Sequence, residues 1–194
     1  MTRTVARELA MHMVFALSYS NLTVPEVLDN TLTKEQFAQW GGESRLYEQF
    51  PNQKQADYIR TLVQGAFEHS PELDEYISEY AVGWAFARIP RVVATILRVA
   101  MYEILYMPEI PNSAAINDAI EIAKRYDDPK VVSFANGILG SFVRSDVVTG
   151  IFAPPPTLDQ DFDETDQLTQ DLAIIETEEI TEKISQESDE TEGD

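Results

Sequence analysis

The chain has 194 residues, 44% of them hydrophobic and none of them cysteine. That leaves room for one packed domain, or one domain plus a tail, and excludes disulfides, thiolate metal sites and thiol nucleophiles. The net charge of −20 is unevenly placed: residues 1–148 carry 13 Lys and Arg against 19 Asp and Glu, whereas 149–194 carry only Lys183 against 15 acids.

Everything before Pro154 reads as helix separated by short breaks. In a first helix, predicted from about Arg3 to Ser20, Ala6, Leu9, Ala10, Met13, Val14 and Leu17 recur at spacings of three and four and form one apolar stripe. Pro25 suits the first turn of a second helix, with Thr23 or Val24 just before it. The pattern fails around Trp40-Gly41-Gly42, so Ala38–Lys54 is predicted as a loop or a poorly ordered insertion. Ile59, Leu62, Val63, Ala66 and Phe67 restart an amphipathic helix that stops near His69-Ser70-Pro71. Ser70 is the expected cap of the next, which carries Leu73, Ile77 and Tyr80 and ends near Gly83.

From Pro90 to about Tyr106, apolar residues cover most of the circumference, which places that helix in the middle of the domain. Pro108 and Pro111 close it. Asn112 or Ser113 can then cap a helix whose core face is Ile116, Ala119, Ile120 and Ala123, ended by Asp127-Asp128-Pro129. The last core helix runs to about Arg144 with Val132, Phe134, Ile138, Leu139 and Phe142. No run alternates for long enough to argue a strand. The predicted fold is all-α, with seven to eight helices over 1–148 and short connections. After Pro154-Pro155-Pro156, the acidic tail over 149–194 is predicted to be mostly disordered. A weak helix over 167–184 is the alternative, since Leu168, Leu172, Ile175, Ile180 and Ile184 fall near helical spacing. No stretch approaches the roughly 18 apolar residues of a membrane span, and the Arg3, Arg7, Glu8 start lacks the apolar core of a signal peptide. A cytoplasmic protein is expected.

Arg3 and Arg7 are four apart, so they lie on one helix face about 40° from each other. Two guanidinium forks there can track phosphates or read base edges; two solvated arginines fit the spacing equally well. Phe15 and Phe134 can stack on unpaired bases, at about 1–3 kcal/mol each, or serve as core. Lys130 is either a phosphate contact beside Phe134 or a plain surface lysine. For Asn136-Gly137 a structural reading is preferred. A helical glycine costs about 1 kcal/mol relative to alanine, which is sensible where another helix packs closely. Asn117 reads as an internal polar clamp, and Arg98 and Glu103 as members of buried or half-buried polar contacts. His12 and His69 join no nucleophile or metal pattern, and no phosphate-loop or nucleophile-elbow motif is present. No catalytic residue, metal or cofactor is expected.

Residues Ala115–Arg144 read AIN-acid-AIE-apolar-AK, a polar break, then aromatic-x-N-G-apolar-L. This resembles the C-terminal signature of the NusB family of bacterial transcription antitermination factors. Ala6-Arg7-Glu8 with Phe15-Ala16-Leu17, Tyr58–Gly65 with Leu73-Asp74, and Ile96–Glu103 resemble three further family segments in the right order. The resemblance covers roughly 3–146, with weak agreement across Val24–Lys54, and leaves out the tail. It implies two small helical bundles packed at an angle, and no active site. It also implies binding of the boxA element of nascent ribosomal RNA transcripts together with NusE, a small-subunit ribosomal protein, in the RNA polymerase antitermination complex.

Carried over residue by residue, the resemblance puts RNA contacts at Arg3, Arg7, Phe15, Lys130 and Phe134. It puts the NusE contact at Glu75, Glu79 and Tyr80, where acids and an exposed tyrosine suit a basic partner. The best-characterised relatives have an arginine cluster at the N-terminal end; here Thr4 and Val5 stand between the two arginines, so weak RNA binding by the isolated protein is expected. The alternative is a NusB-fold interaction module that keeps the NusE contact with little RNA affinity. A homodimer stays open, as some relatives form one. Certain ribosomal RNA methyltransferases carry a NusB-like domain ahead of a catalytic domain that this sequence lacks, so no stand-alone enzyme is expected. The tail is expected to compete with non-cognate RNA for the few cationic side chains, an effect that salt weakens; a solubilising role is the alternative.

Overall fold

Side-chain caps set most of the helix starts. Thr2, Thr23, Thr33, Asn52 and Asp128 each accept a hydrogen bond from a backbone N–H of the first turn, satisfying donors that a helix leaves unpaired. The computed structural model describes residues 1–149. In chain order its helices are α1 Arg3–Tyr19, α2 Val24–Thr31, α3 Lys34–Trp40, α4 Gln53–Glu68, α5 Ser70–Tyr80, α6 Arg91–Tyr106, α7 Asn112–Ala123, α8 Pro129–Val143 and α9 Asp146–Thr149. Single 3-10 turns occupy Arg45–Tyr47 and Phe86–Arg88, and no strand occurs among the described residues. The expected acidic tail, including the segment 167–184, lies outside them beyond Thr149.

Helix α6 is common to both halves of the domain. It packs against α1 and α4, which with α2 and the 45–47 turn form one helical group. It also packs against α5, α7 and α8, which form the other. This is the middle position that its all-round apolar sequence predicts: Val93, Ile96, Leu97, Val99, Met101, Ile104 and Leu105 are all buried, each contributing about 1.5–3 kcal/mol. The approach of α4 to α6 depends on Gly65, where a Cβ would lie 1.9 Å from Cζ of the Tyr102 ring.

The segment 38–54 is mostly the loop expected, with short helical pieces inside it. Helix α3 continues through Trp40, the 45–47 turn buries Leu46, and α4 begins at Gln53. Its organising contacts are aromatic: the buried Phe37 ring meets Tyr47 and Phe50 edge-on, at 5.0 and 5.1 Å between centroids. Caps at Thr33, Ser44 and Asn52 frame pieces too short to show a helical period. Two smaller differences concern caps. Ser70 is the first residue of α5 rather than its cap, and Pro111 rather than Asn112 or Ser113 precedes α7. On α7 the buried residues are Ala115, Ala119, Ile122 and Ala123, with Ile116 and Ile120 half-buried against the core.

Candidate nucleic-acid interface

The N-terminal arginines part company in the fold. Arg7 is 2% exposed. Its Nε and Nη2 donate to the two oxygens of Glu103 at 2.7 and 3.0 Å, and its Nη1 donates to Asp118. The Tyr58 hydroxyl donates to the same Glu103 at 2.6 Å. Burial opposes the Arg7 charge, but the fields of Glu103, Tyr58 and Asp118 outweigh it and hold the guanidinium above its ordinary value. Burial and the Glu103 charge push the Tyr58 phenol up, and burial pushes the Asp118 carboxyl up against the pull of Arg7. An RNA contact at Arg7 is therefore ruled out: the side chain ties α1 to α6 and α7 from inside. Arg3, one turn earlier, is half-buried.

Other polar expectations resolve in the same way. Glu103 belongs to the Arg7 cluster, while Arg98 makes a bidentate pair with Asp74 at 2.6 and 2.9 Å. Asn117 is exposed, so the internal clamp on α7 is its neighbour Asp118. His12 Nε2 lies 2.6 Å from the Tyr126 hydroxyl and His69 Nδ1 lies 2.9 Å from Glu72.

Two aromatic pairs face solvent. Phe15, half-buried on α1, lies 4.9 Å from the ring of Tyr19. Tyr19 is 48% exposed, and the Arg91 guanidinium sits 4.6 Å above it, a cation–π contact. On α8 the half-buried Phe134 lies 4.7 Å from Trp84 with the rings 30° apart. Trp84 is 44% exposed and follows the turn at Gly83, whose φ of 80° needs glycine. Lys130 is exposed one turn before Phe134. Asn136 and Gly137 are exposed as well, and a Cβ at Gly137 would meet nothing within 4 Å. The structural reading of Asn136-Gly137 is thus overturned, because no helix packs there. Positions 130, 134 and 137 share a face of α8, so this glycine belongs to an open surface beside the Trp84–Phe134 pair.

Sequence reasoning missed Tyr19, Trp84 and Arg91. Trp84 sits in a linker with no period to read, and Tyr19 lies past the last stripe residue of α1. A turn glycine followed by tryptophan was the one available signal.

On α5, Glu75 and Glu79 are exposed and one turn apart. Tyr80 is not the exposed tyrosine expected beside them: it is half-buried, edge-on to Phe142 at 5.8 Å. The exposed tyrosine near α5 is Tyr106, whose hydroxyl donates to Glu72 at 2.8 Å. Burial and that bond push the Tyr106 phenol up to about 12. Among the described residues no group of His, Asp or Glu could hold a metal ion, and no helix is long and apolar enough to cross a membrane.

This all-helical domain presents aromatic pairs and cations to solvent, the kind of surface on which unpaired bases stack. Residues 4–144 match the model of the NusB family, and the chain belongs to that family, a non-enzymatic one. It is 37% identical over 144 residues to the transcription antitermination protein NusB of Symbiobacterium thermophilum, covering 74% of this chain and 90% of that protein. The NusB of Bacillus subtilis (strain 168) is 35% identical over 147 residues, covering 76% of this chain and 98% of that protein. Among solved structures, T. maritima NusB superposes with a TM-score of 0.60 at 26% identity over 79% of this chain and 94% of that one. A structure described as antitermination factors NusB and NusE in complex with dsRNA matches in fold, with a TM-score of 0.58 at 20% identity, covering 77% of this chain and 97% of that one.

Proposed function

We propose that this protein is a transcription antitermination factor of the cytoplasm. It binds boxA RNA of nascent ribosomal RNA transcripts together with NusE, within the RNA polymerase antitermination complex. The observation that carries this reading is the open surface of α8, where Phe134 pairs with an exposed Trp84 between Lys130 and a glycine that serves no packing purpose. Exposed aromatic faces accept unpaired bases, and a helix surface without a Cβ lets a strand approach the backbone. Phe15, with Tyr19 and Arg91, supplies a second stacking position, and Arg3 and Lys130 supply phosphate contacts. The relatives' common name, and the RNA and NusE in the fold match described above, support the same reading. Glu75 and Glu79 form the acidic face offered to NusE, with Tyr106 in the place first given to Tyr80.

The second reading, an interaction module that keeps NusE but has little RNA affinity, is favoured by the burial of Arg7, which removes a cation from an already acidic surface. The discriminating experiment measures binding of labelled boxA and scrambled RNA to the full chain with NusE. Preference for boxA over the scrambled RNA, with a boxA affinity that falls about tenfold in Trp84→Ala or Phe134→Ala, the loss of one stacked base, supports the antitermination reading. Equal weak binding to both RNAs with the NusE complex intact leaves the interaction module.

A further inference from the structure

Glu8 is a buried carboxylate of α1, 3% exposed, and donors from two distant segments converge on it. Arg125 Nη1 donates to Oε2 at 2.8 Å and the Tyr126 hydroxyl donates to Oε1 at 2.8 Å, while Arg45 from the 45–47 turn forms an ion pair with Oε2. Each arginine side chain is 39% exposed, so part of each fork faces solvent. Burial first, and then the charge of Arg125, hold the Arg45 guanidinium below its ordinary value; the two cations repel. Glu8 cancels one of their two charges. The Tyr126 phenol and the exposed Glu48 act in the opposite direction, by less.

Arg125 and Tyr126 already give each oxygen of the carboxylate one donor. A second cation on the same oxygen adds repulsion that a purely structural clamp does not need. A guanidinium has five donors, and Glu8 engages few of them, so two forks with spare N–H groups are fixed side by side at the surface. Converging forks match the tetrahedral oxygens of a phosphate. The direction of a bound strand follows from α1. Glu8, His12, Phe15 and Tyr19 are spaced by four, three and four, which places them on one face. Tyr19, under Arg91, lies about 16 Å along the axis from Glu8. The face thus has a cation pair at one end, aromatic rings in between and a cation at the other end.

We propose that Arg45 and Arg125, fixed by Glu8, form a phosphate-binding site that seats the backbone of a single-stranded RNA running along α1 toward Phe15 and Tyr19. The site rests on the RNA-binding reading above and adds to it an anchor that recognises no sequence. Its test uses a dodecamer of uridylate, which presents phosphates without a boxA sequence, titrated into the full chain at low ionic strength. Arginine Nε–Hε resonances and the salt dependence of binding are followed.

The expected result is movement of the Arg45 and Arg125 signals. Arg125→Gln and Arg45→Gln each weaken binding about threefold and lower the slope of log affinity against log salt by about 0.7, the share of one phosphate contact in a single strand. Arg125→Lys, which keeps the charge without the fork, restores the slope. Unmoved arginine signals, wild-type slopes in the folded glutamine variants, or no uridylate binding overturns the site. So does a loss of NusE binding in Arg125→Gln with uridylate binding unchanged, which makes the pair a protein contact. Equal affinity for boxA and scrambled RNA in the presence of NusE defeats the antitermination reading while leaving this site standing.

Discussion

Removing Arg7 would strand Glu103 inside the domain, fully buried, with Asp118 beside it. Arg7→Gln is therefore expected to lower stability by about 3–5 kcal/mol, as breaking a buried ion pair does, read from the midpoint of denaturant unfolding. Loss of RNA binding in that variant would report on folding and not on a contact. Two glycines give opposite signs. Gly65→Ala drives a methyl into the Tyr102 ring and is expected to destabilise by about 1–3 kcal/mol, with recovery when Tyr102 is shortened to leucine. Gly137→Ala has open space and is expected to stabilise α8 by about 1 kcal/mol while weakening RNA binding. Neither role can be read from residue type. An arginine in the first turns of a helix looks the same whether it meets water or a carboxylate 96 positions later, and a helical glycine does not reveal which side is crowded.

Where α5 meets α6, Glu72 accepts a hydrogen bond from Tyr106 and pairs with His69. The His69 bond is the main reason its carboxyl lies below the ordinary 4.5. On acidification the unfolded chain takes up this proton first. The corner's contribution to stability is thus complete above the ordinary value and is lost as pH falls through the lower folded one. In Glu72→Gln the denaturant midpoint is expected to depend less steeply on pH in that acidic window; an unchanged slope would remove Glu72 from the account. At this scale, long helices with a full stripe, such as α1, α4 and α6, were legible from spacing alone. The stretch between α3 and α4 was not, because Phe37, Tyr47 and Phe50 hold it through ring contacts across short turns that have no period. The stacking surface was half legible: Phe134 lay in a recognisable pattern, while its partner Trp84 lay in a linker.

For the molecule as a whole, charge and packing point in different directions along the chain. The 45 residues from 150 to 194 hold 15 acids and one lysine, tethered to a domain whose cations at Arg45, Arg91, Arg125 and Lys130 are exposed. Deleting them is expected to raise affinity for scrambled RNA at low salt, with the gap to the full chain closing as ionic strength rises; equal affinities at low salt would end the idea. Helix α6 has a different consequence, one of timing. It completes the core of both helical groups, and Glu103 within it neutralises Arg7. A ribosome adding about 5–20 residues per second exposes α1 for on the order of 5 to 20 seconds before Glu103 is even joined to the chain. During that interval α1, α2 and α4 can pack on one another, but the face that α6 covers stays open. Their protection in the cell during that time falls to whatever holds nascent chains, and a slow codon run placed before α6 would lengthen the exposure without changing a single residue of the finished protein.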